Sequence, residues 1–268
     1  MRRSRITACI GSLLLAGGLA LAGTATAQAA QEATPTGYTA LGDSYSSGVG
    51  ADSYISSSGD CDQSTKAYPY LWHTAHPSNA FTFAACSGAT TSDVLSGQLG
   101  SLGSATGLVS VSAGGNDAGF SDVMTTCVLG SDSTCLSRIA TARSYITSTL
   151  PARLDSLYTA ISAKAPSAHV VVLGYPRFYK LGSTCIGLSD TKRSAINAAA
   201  DQLDSLLATR AAAHGFTFGD VRTTFTGHEI CSGSSWLHSV NWLDIGESYH
   251  PTADGQSGGY LPVFTNAA

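Results

Sequence analysis

Four short stretches of this 268-residue chain carry residue types able to do chemistry. "LGDSYSSGVG" (41–50) sets Ser44 after a short apolar run, and "ACSGAT" (85–90) contains Gly88. "VSAGGNDAGF" (111–120) contains Asn116 and Asp117, and "GESYHPT" (246–252) contains His250. Small, flexible residues at a strand end suit three chemistries. A phosphate cradle needs a Gly-Lys-Ser/Thr ending, but no lysine precedes Lys66, and a dinucleotide loop needs Gly-x-Gly-x-x-Gly, which Ser44 interrupts. A nucleophilic serine remains, though not on a Gly-x-Ser-x-Gly elbow, because Ser46 stands where its last glycine belongs. A serine hydroxyl needs a base, and neutral imidazole at His250 is the candidate. The oxyanion formed on attacking an ester carbonyl needs preorganised donors. The backbone N–H groups of Ser44 and Gly88 and the side-chain amide of Asn116 are the three expected.

Taken in order, these blocks resemble the SGNH (GDSL-type) hydrolase family, whose name lists a Ser, a Gly, an Asn and a His. Here they match Ser44, Gly88, Asn116 and His250, and the resemblance runs from about Tyr38 to the C-terminus. The six-cysteine layout is most similar to the secreted lipase and esterase branch of filamentous actinobacteria. The resemblance implies lipase or esterase activity on acylglycerols and small esters, with no cofactor and no metal. Phospholipase or carbohydrate deacetylase activity is the alternative on the same site, and a non-catalytic secreted binding module is a remote one. The family usually places an Asp three residues before the histidine; this chain has Glu247. In the branch it resembles, a backbone carbonyl just before the histidine orients the ring, which here is Ser248. Both stand as candidates, with the carbonyl favoured.

The elements that must bring these blocks together read as alternating strands and helices. Apolar runs at 38–41, 81–83, 108–113, 169–175 and 216–218 predict buried strands. Arg138 to Lys164 carries apolar residues at spacings of three and four, with Pro151 expected to kink or divide it, and Thr191 to His214 predicts a second helix ended by Gly215. The pattern predicts an α/β fold, a three-layer α/β/α sandwich with a central, mainly parallel sheet. Ligands bind beyond the carboxyl ends of such strands, where all four blocks fall.

Other residues have plain readings. Asp43 and Asp117 are expected to be turn residues, and His73 and His76 surface histidines. His228, Glu229 and His238 fit ordinary loops or a pocket mouth. "WLHSVNWL" (236–243) is either a core plug or an acyl-facing wall.

Residues 1–29 join a basic start, an apolar stretch and small residues, the form of a secretory signal peptide cut between 29 and 34. A single domain over 35–268 is expected, secreted, monomeric and without stable membrane insertion. Loss of the leader removes three arginines and no acid, taking the formal charge from −4 to −7. With only 12% charged residues, that balance excludes nucleic acid as a partner and leaves an ester or lipid substrate. Cys9 leaves with the leader, and six cysteines remain. In an oxidising compartment these predict three disulfides. Pairing in sequence order gives Cys61–Cys86, Cys127–Cys135 and Cys185–Cys231, the second supported by its short intervening loop.

Overall fold

The computed structural model describes residues 36–268, so the leader reading lies outside the described residues. Five strands form one parallel sheet: β1 (Gly37–Gly42), β2 (Phe81–Phe83), β3 (Thr106–Ser112), β4 (His169–Leu173) and β5 (Thr217–Gly219). Their spatial order is β2-β1-β3-β4-β5. The order reverses between β1 and β3, which makes the carboxyl ends of those strands the natural binding crevice. Ser44 follows the first of them and Asn116 the second.

Among the described residues, eight α-helical segments connect and cover the sheet. The first four are α1 (Ser44–Ser47), α2 (Tyr68–Ala75), α3 (Thr91–Asp93) and α4 (Phe120–Leu129). The others are α5 (Asp132–Ser148), α6 (Leu150–Lys164), α7 (Asp190–Ala213) and α8 (Leu261–Ala267). Helices α2 and α8 pack together around Tyr38, whose ring meets Trp72 and Phe264. Helices α5, α6 and α7 pack on one another, and Leu150 and Leu203 lie against Gly114 beyond β3. Leu150, Leu154, Leu157 and Ile161 are fully buried, so the predicted apolar stripe is the face of α6 turned to the core.

Pro151 divides the long predicted helix. Thr149 ends α5, and proline occupies the first turn of α6, where its missing N–H costs nothing. Gly215 takes a φ of +72° just beyond α7, as a C′ glycine should. Because the Phe216 N–H donates to the Ala211 carbonyl (2.9 Å), β5 starts one residue later than its apolar run. Similarly β4 stops at Leu173, since the Tyr175 N–H turns to the Asp204 carboxylate (2.9 Å). The cysteines pair as Cys61–Cys86, Cys127–Cys135 and Cys185–Cys231. Cys61–Cys86 ties the loop after α1 to the Gly88 block.

Candidate active site

The sequence Gly-Asp-Ser has a separate reason at each position. Gly42 adopts a φ of +126°, and a Cβ there would collide with the Ser112 backbone. Gln98 clamps the same residue from the side, accepting from its N–H (2.7 Å) and donating to its carbonyl (2.8 Å). Asp43 caps α1 by accepting from the Tyr45 N–H (3.0 Å). It also accepts from the Ser112 hydroxyl (2.6 Å) and the Tyr175 hydroxyl (2.5 Å). One buried carboxylate thus joins the ends of β1, β3 and β4. Burial pushes its pKa up to about 6, against the lowering effect of these bonds. Ser44 is therefore the first residue of the helix rather than its cap, and it is buried at the carboxyl end of β1.

His250 Nε2 lies 2.7 Å from Ser44 Oγ, hydrogen-bond distance across 206 residues of chain. The segment that delivers it is pinned along its backbone. His238 N–H donates to the His250 carbonyl, and Tyr249 N–H to the His238 carbonyl, both at 3.0 Å. The Tyr45 hydroxyl, one residue from Ser44, donates to the Tyr249 carbonyl (2.7 Å). Tyr249 sits at a φ of +70°, a strained conformation that these bonds enforce and that turns the next side chain toward α1. His238 is itself anchored through Nε2 on the Gly50 carbonyl (2.7 Å).

The two candidate orienters separate. The Glu247 carboxylate accepts from the exposed Tyr54 hydroxyl at 3.4 Å, while the Glu247 carbonyl accepts from the His250 N–H at 3.1 Å. His250 Nδ1 is buried and makes no hydrogen bond of good geometry. Burial lowers the imidazole pKa to about 4, and the nearby carbonyls of Gly246 and Ser248 oppose that shift. The ring is neutral at pH 7, the state a general base requires.

Gly88 has a φ of +75° with open space where a Cβ would stand, so its backbone angle, rather than crowding, calls for glycine. The Asn116 Nδ2 donates to the Ala89 carbonyl (3.0 Å), which fixes the amide beside the Gly88 block and leaves its second hydrogen for another acceptor. Asp117 is a bracing turn residue, accepting from Thr91 N–H (2.8 Å) and Thr91 hydroxyl (2.6 Å).

Ser44 and Asn116 border one pocket, walled by Tyr45, Tyr175 and Phe178 and by apolar residues of α4, α5 and α7. His250 borders a second cleft, also apolar, with Phe120 and Met124 common to both. The tryptophan-rich segment divides its roles. Trp236 packs on Phe225 and His228, whereas Trp242 is 69% exposed and lines the second cleft. His73 stacks on Phe81 and His76 on Trp72. Among the described residues, no cluster of His, Cys, Asp or Glu could hold a metal ion.

Residue spacing alone makes Asp43 and His238 ordinary turn or loop residues and gives no signal at Tyr45, Tyr175 or Gln98. Their side-chain polar atoms find partners across 50 residues or more of chain, apart from Asp43's cap on Tyr45, and no spacing rule displays such pairs.

A serine–imidazole pair beside amide donors, at the switch point of a parallel sheet, defines an acyl-transferring hydrolase. Residues 40–257 match the GDSL-like lipase/acylhydrolase family, and the chain belongs to that family. It is a carboxylic ester hydrolase. It is similar over its whole length to Lipase 1 of Streptomyces coelicolor, at 74% identity over 268 residues and 100% of both chains. The solved structures of phospholipase A1 from Streptomyces albidoflavus NA297 and of the extracellular lipase from Streptomyces rimosus are each 63% identical. Each has a TM-score of 0.86 and covers 87% of this chain and 100% of its own.

Proposed function

We propose that Ser44 and His250 form a catalytic dyad that hydrolyses carboxylic esters through an acyl-enzyme. The 2.7 Å contact between Ser44 Oγ and His250 Nε2 carries this reading. As Oγ bonds to the ester carbonyl carbon, its proton passes to Nε2. The resulting oxyanion is held by the Ser44 and Gly88 N–H groups and the Asn116 amide. Collapse expels the alcohol, which takes the proton from His250. Water then gives a proton to His250 and attacks the acyl-Ser44, releasing the acid and restoring the pair.

The Ser248 carbonyl, not the Glu247 carboxylate, serves as the orienter in this reading. Glu247→Gln therefore keeps kcat within about threefold of the parent, since a backbone acceptor survives any side-chain change. A drop beyond about 10³, the scale of removing a triad acid, would reinstate the carboxylate. Asn116→Ala lowers kcat by about 10²–10³ with little change in KM, the usual loss for one oxyanion donor. A change confined to KM would place Asn116 in ground-state binding instead.

Acylglycerols and simple acyl esters are the proposed substrates, supported by the apolar pocket beside Ser44 and by the names of the lipase relatives. Phospholipid is the second reading, favoured by the relative named phospholipase A1. A carbohydrate deacetylase would want polar side chains for sugar hydroxyls, and the pocket walls offer few. The protein acts outside the cell as a monomer in this reading. Its leader-like start and three disulfides support export, and among the described residues no helix is long and apolar enough to cross a membrane. A panel of p-nitrophenyl esters, a triacylglycerol, a phosphatidylcholine and an acetylated xylo-oligosaccharide tests the substrate class. Preference for acyl chains longer than acetyl is expected. Cleavage of the acetylated saccharide alone would overturn it.

A further inference from the structure

Tyr175 is buried just beyond β4, on the pocket wall beside Asp43, Ser44, Gly115 and Asn116. The proposed chemistry gives it no step, yet its placement is held from two sides. Its backbone N–H donates to the buried Asp204 carboxylate of α7 (2.9 Å). Its ring meets the Tyr45 ring edge-on, with centroids 5.0 Å apart. These holds fix where the hydroxyl stands.

That hydroxyl joins two turns. It donates to the Asp43 carboxylate (2.5 Å) and accepts from the Gly115 N–H over a longer distance (3.4 Å). Asp43 immediately precedes the nucleophile and caps its helix, and Gly115 immediately precedes Asn116. A buried tyrosine hydroxyl needs a partner, and a carbonyl on any element would serve. This one instead spans the residue before Ser44 and the residue before the oxyanion amide. Asn116 is tied on its other side too, since its Nδ2 donates to the Ala89 carbonyl (3.0 Å).

We infer that Tyr175 is a positioning residue for the hydrolysis, its hydroxyl setting the spacing between the Ser44 oxygen and the Asn116 amide. This rests on the dyad and oxyanion roles proposed above. Oxyanion donors act only when preorganised, and a misplacement of about 1 Å can cost about 10²-fold. Binding of the ground-state ester does not depend on that spacing, so loss of the hydroxyl lowers kcat and spares KM.

The test measures p-nitrophenyl butyrate hydrolysis by the parent, Tyr175→Phe, Asn116→Ala and the double variant. Tyr175→Phe is expected to lower kcat at least about tenfold with KM within about twofold of the parent. In the Asn116→Ala background the same substitution should cost less than about threefold, because the amide it positions is already gone. Asp43→Ser still caps α1 but is too short to reach Tyr175, and it gives the same pattern should Tyr175→Phe not fold. A smaller loss, a loss carried by KM, or equal fold-losses in the two backgrounds would overturn the assignment. If Ser44→Ala stayed active or Asn116→Ala kept full kcat, the dyad or oxyanion reading itself would fail. An inactive Ser44→Ala and a slow Asn116→Ala beside an unimpaired Tyr175→Phe would sink the Tyr175 assignment alone.

Discussion

Replacing Ser44 by alanine lowers kcat for p-nitrophenyl ester hydrolysis by about 10⁶, the scale of removing a hydrolase nucleophile. The fold survives because of what Ser44 does not hold. Its hydroxyl bonds His250, while α1 is capped by Asp43 and closed by Gly48, whose N–H donates to the Ser44 carbonyl at 3.0 Å. Alanine keeps that backbone bond and favours helix. The thermal midpoint of Ser44→Ala should therefore match the parent within about 2–4 °C, the shift produced by roughly 1 kcal/mol in a domain of this size. Loss of activity together with a large fall in midpoint would assign Ser44 a structural role.

His250→Ala is expected to cost nearly as much, and the Ser44→Ala/His250→Ala double variant no more than either alone. In the proposed dyad the two side chains act on one proton, so removing either would already end nucleophilic attack and leave only the contribution of the oxyanion donors and binding. The double variant decides between a coupled pair and two separate contributions. Multiplying losses would mean that each residue works independently. The histidine substitution also removes a ring packed 5.2 Å from the Tyr45 ring, so some stability is lost as well. Its carbonyl, bonded by the His238 N–H, is unaffected, which keeps the segment in place.

Much of this arrangement is legible in the amino-acid sequence. Ser44, Gly88 and Asn116 stand next to apolar runs that form β1, β2 and β3, and the rule that ligands gather at strand ends puts them on one rim. Of the three disulfides, only Cys127–Cys135 is signalled locally, by its short loop; the other two follow the simplest pairing, in sequence order, and the fold forms all three. What stays hidden depends on tertiary partners. Asp43 looks like any turn aspartate until Ser112 and Tyr175 arrive from β3 and the loop after β4. Trp236 and Trp242 share one motif, yet one packs inward and the other stands at a cleft rim, a difference set by the bend between them. Glu247 occupies the position where a carboxylate orienter would be expected. Only the fold turns its side chain to Tyr54 and leaves backbone carbonyls near the imidazole.

The central claim is that Ser44 supplies the oxygen of the acyl-enzyme and that His250 activates it. Treatment with an organophosphonate ester, followed by mass spectrometry of the digested protein, tests this most directly. One adduct per chain is predicted on the peptide bearing Ser44, formed in step with the loss of activity and greatly slowed in His250→Ala. An adduct on any other serine, or full inactivation with Ser44 unmodified, would contradict it.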